Sequence, residues 1–210
     1  MSSKKYPIVN IDRLRMGNDG PGIRTLIVVH GCPLRCRYCI NPFTWDGSRN
    51  PNMMTAAELY GKLVIDRPYI MATNGGLTFG GGEPLLYPEL INEMRAICEP
   101  EMTFYVETSF NVEWESIKSV ADSIDCFYVD VKSVDPDVYK EYTGGEIDPV
   151  MENIRRYIEL KGSNSIIVRI PEIPGFVYSE QQSKAKTELS EQGVKHFNLF
   201  KYVLPEKKQR

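Results

Sequence analysis

This 210-residue chain lacks the features that define several classes of protein. No stretch approaches the ~20 apolar residues that a membrane-spanning helix needs, and no apolar segment follows Lys4 and Lys5 as it would in a signal peptide. Lysine and arginine (25) are outnumbered by aspartate and glutamate (28), and there is no long basic run. This charge balance argues against a nucleic-acid binder held by phosphate contacts. We therefore expect a cytoplasmic protein that binds neither membranes nor nucleic acid.

The chain also lacks internal repeats, low-complexity segments and a recognisable linker between domains. Its hydrophobic fraction of 42% and charged fraction of 25% are ordinary for a globular protein. A chain of this length can bury one sizeable core. We therefore assign residues 1–210 to a single domain and expect a monomer.

Cysteine is scarce and unevenly spread. There are five cysteines, and Cys32, Cys36 and Cys39 fall within eight residues of each other. An odd number does not suit a disulfide framework, and cytosolic thiols stay reduced. Clustered cysteines in a reducing compartment are typical of metal ligands.

Segments with strand character alternate with segments of helical character. The predicted strands are 24–30, 77–80, 103–108, 126–131, 165–170 and 195–200; the predicted helices are 55–66, 87–97, 113–121, 135–142, 149–160 and 179–191. This alternation predicts an α/β fold with a parallel sheet and helical crossovers. Six such units fit either an open sheet or an incomplete barrel, and periodicity alone does not choose between them.

Chemically distinctive residues cluster where the predicted strands end. In chain order they are the three clustered cysteines, Gly80–Pro84, Glu107 with Thr108, Asp130 with Lys132, and Arg169. Parallel α/β proteins build their sites along the carboxyl ends of the strands. We therefore expect one site at that edge.

The spacing Cys-x3-Cys-x2-Cys favours an iron–sulfur cluster. Three thiolates on one loop can bind three irons of a cubane, whereas electron-carrier clusters usually have four cysteine ligands. The fourth iron would stay open to an amine and a carboxylate. A zinc site completed by His30 is the alternative, although structural zinc loops prefer two Cys-x2-Cys pairs. Three free thiols are a further alternative.

The same spacing resembles the hallmark of the radical S-adenosylmethionine (SAM) superfamily. The surrounding motifs resemble the branch of glycyl radical enzyme activating enzymes, typified by pyruvate formate-lyase activase. The matching segments occur in the expected order: Asp19-Gly20-Pro21-Gly22-Ile23-Arg24, Thr44-Trp45, Thr78 to Pro84, Asp130-Val131-Lys132, and Arg169-Ile170-Pro171 with Pro174-Gly175. Together these motifs are specific for that branch of the superfamily, although no single motif is.

This resemblance implies a fold and an activity. The fold would be a partial (β/α)6 barrel with one [4Fe–4S] cluster on Cys32, Cys36 and Cys39. Flavodoxin or ferredoxin would reduce the cluster, and reductive cleavage of SAM would give a 5′-deoxyadenosyl radical. That radical would take hydrogen from a glycine of a partner glycyl radical enzyme. No side chain is expected to act as a general acid or base.

The resemblance also implies which residues hold the ligands. Those expected to contact SAM are Tyr38, Cys39, Ile40, Gly81, Gly82, Glu83, Asp130, Val131, Lys132 and Arg169. The glycine-rich loop would hold the SAM amine, and Arg169 would bind SAM or the substrate peptide. The simpler interpretations are a tight turn for the glycine loop and strand-end ion pairs for Asp130, Lys132 and Arg169.

Two further expectations come from the resemblance. A potassium or sodium ion is expected on Glu107, Thr108, Tyr128 and Asp130, with glutamate standing where the family usually has aspartate. The family often carries a SAM-contacting histidine late in the last strand, where this chain has Phe200-Lys201-Tyr202-Val203. His30 and His196 are therefore interpreted as structural.

Two other functions remain open at this point. One is a radical SAM enzyme acting on a small molecule, similar to 7-carboxy-7-deazaguanine synthase. The other is a metal-binding or electron-carrier module without enzymatic activity.

Overall fold

The computed structural model describes residues 3–204, which form one open eight-stranded sheet. The strands are β1 (Tyr6–Met16), β2 (Ile23–Val29), β3 (Asn52–Met54), β4 (Gly76–Gly81), β5 (Thr103–Thr108), β6 (Cys126–Asp130), β7 (Ile166–Glu172) and β8 (Phe197–Lys201). Their order across the sheet is β3-β1-β2-β4-β5-β6-β7-β8. The neighbours from β2 to β8 are parallel, whereas β1 pairs antiparallel with both β2 and β3. The predicted parallel α/β sheet is confirmed.

The sequence pattern does not predict the two antiparallel strands. β1 carries two irregularities in its pairing with β2, between Ile8 and Asn10 and between Asp12 and Arg15. Such irregularities shift the alternation of side chains, so a period-2 pattern is lost. β3 has only three residues, which is too short for any pattern.

Helices connect the parallel strands. They are α1 (Ala56–Leu63), α2 (Arg67–Ala72), α3 (Pro88–Ile97), α4 (Trp114–Val120), α5 (Pro136–Thr143), α6 (Asp148–Lys161) and α7 (Ser179–Glu191). At the start of α1, the Thr55 hydroxyl accepts from the Glu58 amide and the Glu58 carboxylate accepts from the Thr55 amide. The predicted helix 55–66 ends earlier, at Leu63, and α2 follows after one tight turn. Across residues 3–204, no helix has the length and apolar character required to traverse a bilayer.

The two faces of the sheet differ in chemistry. One face packs under the helices and buries apolar side chains from successive strands, among them Ile27, Phe79, Val106, Val129 and Val168. Because side chains alternate along a strand, the intervening residues lie on the opposite face. Those residues include Thr78, Tyr105, Glu107, Tyr128, Asp130 and Arg169. The polar face and the carboxyl edge therefore meet at the predicted site.

Arg24 joins three strands at the edge opposite to the cysteines. Its side chain is 1% exposed and donates to the Thr78 hydroxyl (2.8 Å), the Leu77 carbonyl (2.6 Å) and the Thr103 hydroxyl (2.8 Å). The guanidinium also lies 4.1 Å from the Tyr105 ring centroid. Burial lowers the pKa of Arg24. These contacts connect β2, β4 and β5 where the strands begin.

Candidate functional site

Cys32, Cys36 and Cys39 lie on one loop that leaves the carboxyl end of β2, and each is partly exposed. Backbone hydrogen bonds hold this cysteine loop (residues 30–41) against the rest of the protein. The Gly31 amide donates to the Thr44 carbonyl at 2.7 Å. The Arg35 amide donates to Thr143 at 2.7 Å, at the end of α5. The three thiols therefore stand on a fixed loop at the predicted edge.

Burial favours the protonated form of two of these thiols, Cys32 and Cys36. It raises the pKa of Cys32 to about 12 and that of Cys36 to about 11. Both groups therefore hold their protons at neutral pH when no metal is bound, and metal binding must displace those protons. Cys98 and Cys126 are buried on other elements, after α3 and at the start of β6. They do not join the loop.

The donor set fits a cluster with one open iron. In a cubane each thiolate binds a separate iron, so the three sulfurs need not converge on a single point. Within residues 3–204, no group of three or more His, Cys, Asp or Glu side chains is arranged to hold a metal ion. A zinc ion, the alternative, would need its ligands, His30 among them, to converge on a single point. Three soft thiolates without a fourth cysteine suit iron–sulfur binding.

The glycine-rich loop, Gly80–Pro84, is joined to the cysteine loop by backbone contacts. The Gly82 amide donates to the Val29 carbonyl at 3.2 Å, and the Glu83 amide donates to the Gly31 carbonyl at 2.7 Å. A Cβ on Gly82 would lie 2.2 Å from the Gly31 oxygen. The resemblance assigns the space beside these glycines to a ligand, but at Gly82 the backbone of Gly31 fills it. The two loops therefore form one unit, and the contact with SAM stays a prediction.

This packing predicts that Gly82→Ala is destabilising. The added methyl group must displace backbone rather than a flexible side chain, so we expect a loss of about 1–3 kcal/mol in the free energy of unfolding. Gly61→Ala is the matched control, because a Cβ there meets nothing within 4 Å and Gly61 lies inside α1. We expect the control to gain about 0.5–1 kcal/mol. Urea denaturation measures the stability of both variants. Equal stabilities of Gly82→Ala and Gly61→Ala would contradict the close packing of Gly82 against Gly31.

Glu83 is a buried carboxylate whose oxygens are engaged within the protein. It is 1% exposed and accepts from the Thr108 hydroxyl (2.7 Å) and from the Ser109 hydroxyl (2.7 Å) and amide (2.9 Å). It also accepts from the Leu85 amide at 3.2 Å. Burial raises the pKa of Glu83, and the hydrogen bonds from Ser109 and Thr108 oppose that effect. Glu83 thus ties the glycine-rich loop to the end of β5, and Ser109 is a residue that the sequence motifs do not single out.

Four charged side chains form a paired network at the carboxyl ends of β5 and β6 and on β7, where Arg169 lies in the middle of the strand and not at its end as predicted. Arg169 donates through Nε to Asp130 (2.6 Å) and through a terminal nitrogen to Glu107 (2.7 Å). Lys132 donates to the second Asp130 oxygen at 2.9 Å. Burial acts to raise the pKa of Asp130, but Arg169 and Lys132 hold it at about 2. Burial also raises the pKa of Glu107, an effect that Arg169 opposes.

The network bears on the expected monovalent cation. Of the four expected ligands, Glu107 and Asp130 already share the Arg169 guanidinium, and the Thr108 hydroxyl donates to Glu83. The fourth expected ligand is the backbone of Tyr128, whose ring lies 5.3 Å from the same guanidinium. The Arg169 guanidinium therefore supplies the positive charge that a bound cation would bring to these carboxylates. The monovalent cation stays a prediction without structural support. In the structure Arg169 forms ion pairs with Asp130 and Glu107, as the simpler interpretation of this residue predicts.

An aromatic cluster packs beside the last cysteine. The Tyr38 ring stacks on Tyr202, with centroids 6.3 Å apart and an interplanar angle of 25°. It meets Tyr142 and Phe176 edge-on, each at 5.9 Å. The Tyr202 hydroxyl donates to the Tyr38 carbonyl, which anchors the cysteine loop to the chain after β8. Sequence reasoning misses Tyr202 as a site residue, because its stretch is distinctive only for lacking a histidine.

The remaining expected SAM contacts differ in accessibility. Ile40 is 70% exposed beside Cys39. Val131 is buried, and its amide donates to the Arg169 carbonyl at 3.0 Å. Lys132 keeps donor hydrogens beyond its bond to Asp130. The structure therefore gathers the expected residues at one edge, and their contacts with SAM stay predictions.

Fold and site together define a class of α/β proteins whose open parallel sheet presents a three-thiol loop at its carboxyl edge. The family model of the radical SAM superfamily matches residues 26–183, and the chain belongs to that superfamily. The structure is similar to a domain of pyruvate-formate lyase-activating enzyme from Bacteroides vulgatus, with a TM-score of 0.54 and 29% identity over 64% of this chain and 87% of that one. It is similar in fold to Streptococcus suis SuiB, with a TM-score of 0.66 and 16% identity over 85% of this chain and 38% of SuiB.

Its sequence relatives include activating enzymes. The chain is 38% identical over 126 residues to the pyruvate formate-lyase-activating enzyme of Clostridium pasteurianum, which covers 60% of this chain and 52% of that enzyme. It is 28% identical over 227 residues to the 4-hydroxyphenylacetate decarboxylase activating enzyme of Clostridioides difficile, over 78% of this chain and 71% of that enzyme. The chain thus spans about half the length of the first of these relatives. The radical SAM assignment and the resemblance to activating enzymes are confirmed.

Proposed function

We propose that this protein activates a glycyl radical enzyme. Cys32, Cys36 and Cys39 would hold a [4Fe–4S] cluster that would supply the electron for reductive cleavage of SAM, and this cleavage would lead to removal of hydrogen from a glycine of the partner. The observation that carries this proposal is the cysteine loop: three partly exposed thiols, without a fourth, on a loop bonded directly to the glycine-rich loop. The activating-enzyme names of its relatives support the choice of partner class.

The protein's own residues have binding and positioning roles in this proposal. Cys32, Cys36 and Cys39 hold the cluster, and backbone carbonyls of the glycine-rich loop accept from the SAM amine, because the Glu83 oxygens are engaged elsewhere. Lys132 offers its remaining donor hydrogens to the SAM carboxylate or ribose. Arg169 and Glu107 keep the neighbouring strand ends in register.

The partners follow from the same proposal. A glycyl radical enzyme is the polypeptide substrate, and a flavodoxin or ferredoxin delivers the electron. An open sheet suits the approach of a polypeptide loop to the polar face. We expect the protein to act as a monomer.

Anaerobic reconstitution with iron and sulfide tests the proposal. We expect a [4Fe–4S] spectrum that shifts on addition of SAM, and 5′-deoxyadenosine after reduction. Incubation with pyruvate formate-lyase or 4-hydroxyphenylacetate decarboxylase, the enzymes named by its relatives, then tests for a glycyl radical by EPR. A partner variant with alanine at the radical glycine is the control.

Two results would reject the proposal. A colourless zinc protein would end the cluster assignment. Cleavage of SAM with conversion of a small molecule, and without a glycyl radical on any tested partner, would favour the small-molecule alternative.

A further inference from the structure

Tyr139 has a buried hydroxyl whose proton has no acceptor. The residue lies in α5, is 0% exposed, and its ring belongs to the main apolar core. Among the residues that the structure describes, no atom accepts a hydrogen bond from this hydroxyl. Buried polar groups are nearly always paired, so a phenol that donates to nothing at a ligand site points to a missing acceptor.

The position of α5 brings this phenol to the cysteine loop. The end of the helix receives hydrogen bonds from the loop, from the Arg35 amide to Thr143 (2.7 Å) and from the Arg37 amide to Tyr142 (3.0 Å). Burial raises the pKa of Tyr139, and electrostatic interactions with Cys36, Glu83 and Cys32 raise it further. Tyr139 therefore lies about one helical turn from the residues of α5 that hold the cysteine loop.

The neighbouring polar groups do not take the phenolic proton. Glu83 is occupied by donors from Thr108, Ser109 and Leu85. Asn111 is also near, and a hydrogen bond from its side chain lowers the pKa of Tyr139, so Asn111 acts as a donor to the phenolic oxygen and not as an acceptor of its proton. Its amide nitrogen donates to the Glu146 carbonyl at 2.6 Å. The phenol thus keeps a proton to donate.

We propose that the Tyr139 hydroxyl donates a hydrogen bond to a sulfur of the bound cluster, either the Cys36 thiolate or an adjacent inorganic sulfide. This inference rests on the proposed [4Fe–4S] cluster. A hydrogen bond to a cluster sulfur stabilises the reduced state, which carries one more negative charge, and so raises the reduction potential. Tyr139 would then set how readily the cluster accepts its electron.

The test compares the reconstituted wild-type protein with Tyr139→Phe, which removes one oxygen and keeps the ring. In an EPR-monitored redox titration we expect the midpoint potential to fall by about 59 mV, a tenfold change for a one-electron couple. The metal-free Tyr139→Phe protein should be at least as stable to urea as the wild type, because the lost hydroxyl donates to no internal acceptor.

Tyr157→Phe is the matched control. Tyr157 is also fully buried, but its hydroxyl pairs with the Ser165 hydroxyl at 2.8 Å, on the opposite edge of the sheet. This variant should lose stability without any change in potential.

Each outcome bears on a separate claim. Equal potentials in wild-type and Tyr139→Phe proteins that both carry a full cluster would overturn this inference and leave the proposed function intact. A metal-free Tyr139→Phe protein destabilised as much as Tyr157→Phe would also overturn it, since the phenol would then have an internal acceptor. A wild-type protein that takes up no cluster would overturn both proposals.

Discussion

Cys36→Ala is expected to abolish cluster binding and SAM cleavage. Cys36 is the middle thiol of the loop, and without it two thiolates remain to hold four irons. Loss of a group that merely supports a metal ligand costs about 10–100-fold, so loss of a ligand should reduce 5′-deoxyadenosine formation by more than about 100-fold. Iron and sulfide content after reconstitution and chromatography of the nucleoside products measure both effects.

The control for this experiment is Cys98→Ala. Cys98 is free and buried beyond the end of α3, so its variant tests a cysteine of the core rather than of the loop. We expect full iron content and normal cleavage, with a modest loss of stability from the smaller side chain. Iron retained by Cys36→Ala, or lost equally from both variants, would contradict the ligand assignment. Circular dichroism of the metal-free proteins establishes that both are folded.

The location of the site can be predicted from the sequence because the information is local. The cysteine spacing, the glycine-rich run and the charged ends of strands each occupy a few consecutive residues. Alternating strands and helices place all of them on one edge. For this reason the sequence alone brings the cysteine loop, Gly80–Pro84, Asp130 and Arg169 to the edge where the fold has them.

The roles of single residues depend on contacts between distant segments. Arg169 and Glu107 are 62 residues apart, so the sequence cannot distinguish their ion pair from a ligand contact. Gly82 suggests an opening for a ligand, whereas in the fold the Gly31 carbonyl lies against it. The sequence does not predict a ligand role for Tyr139, because tyrosine on an apolar helix face is usually there for packing. Only the fold shows that its hydroxyl proton has no acceptor.

Arg169→Met is expected to destabilise the protein by about 3 kcal/mol at neutral pH. The guanidinium is 16% exposed and pairs with Asp130 and Glu107, which are 24% and 20% exposed. Removing one partner of a buried ion pair leaves the others uncompensated, and this is far more costly than the net stabilisation that the pair provides. Urea denaturation of the metal-free protein measures the loss. It isolates the ion-pair role from any contact with SAM or the partner.

Arg155→Met is the matched control, because Arg155 also pairs with two carboxylates, Glu152 and Glu159, but on the exposed surface of α6. Surface ion pairs contribute little, so we expect no measurable change. A large loss of stability in Arg155→Met, or no loss in Arg169→Met, would contradict the conclusion that burial makes the Arg169 ion pairs important for stability.

The pH dependence provides a second test of the Arg169 network. In the wild type the pKa of Asp130 is lowered from 3.8 to about 2, so its contribution is present above 3.8 and lost as the pH falls toward 2. In Arg169→Met, Glu107 loses the guanidinium that opposes the effect of burial, so its pKa rises further above that of the unfolded chain, whereas Asp130 keeps its bond to Lys132. Raised values favour the folded state at low pH and oppose it as the pH increases. The difference in stability between wild type and variant should therefore narrow steadily from about pH 7 toward about pH 4, and a difference that is constant over this range would exclude electrostatics as its cause.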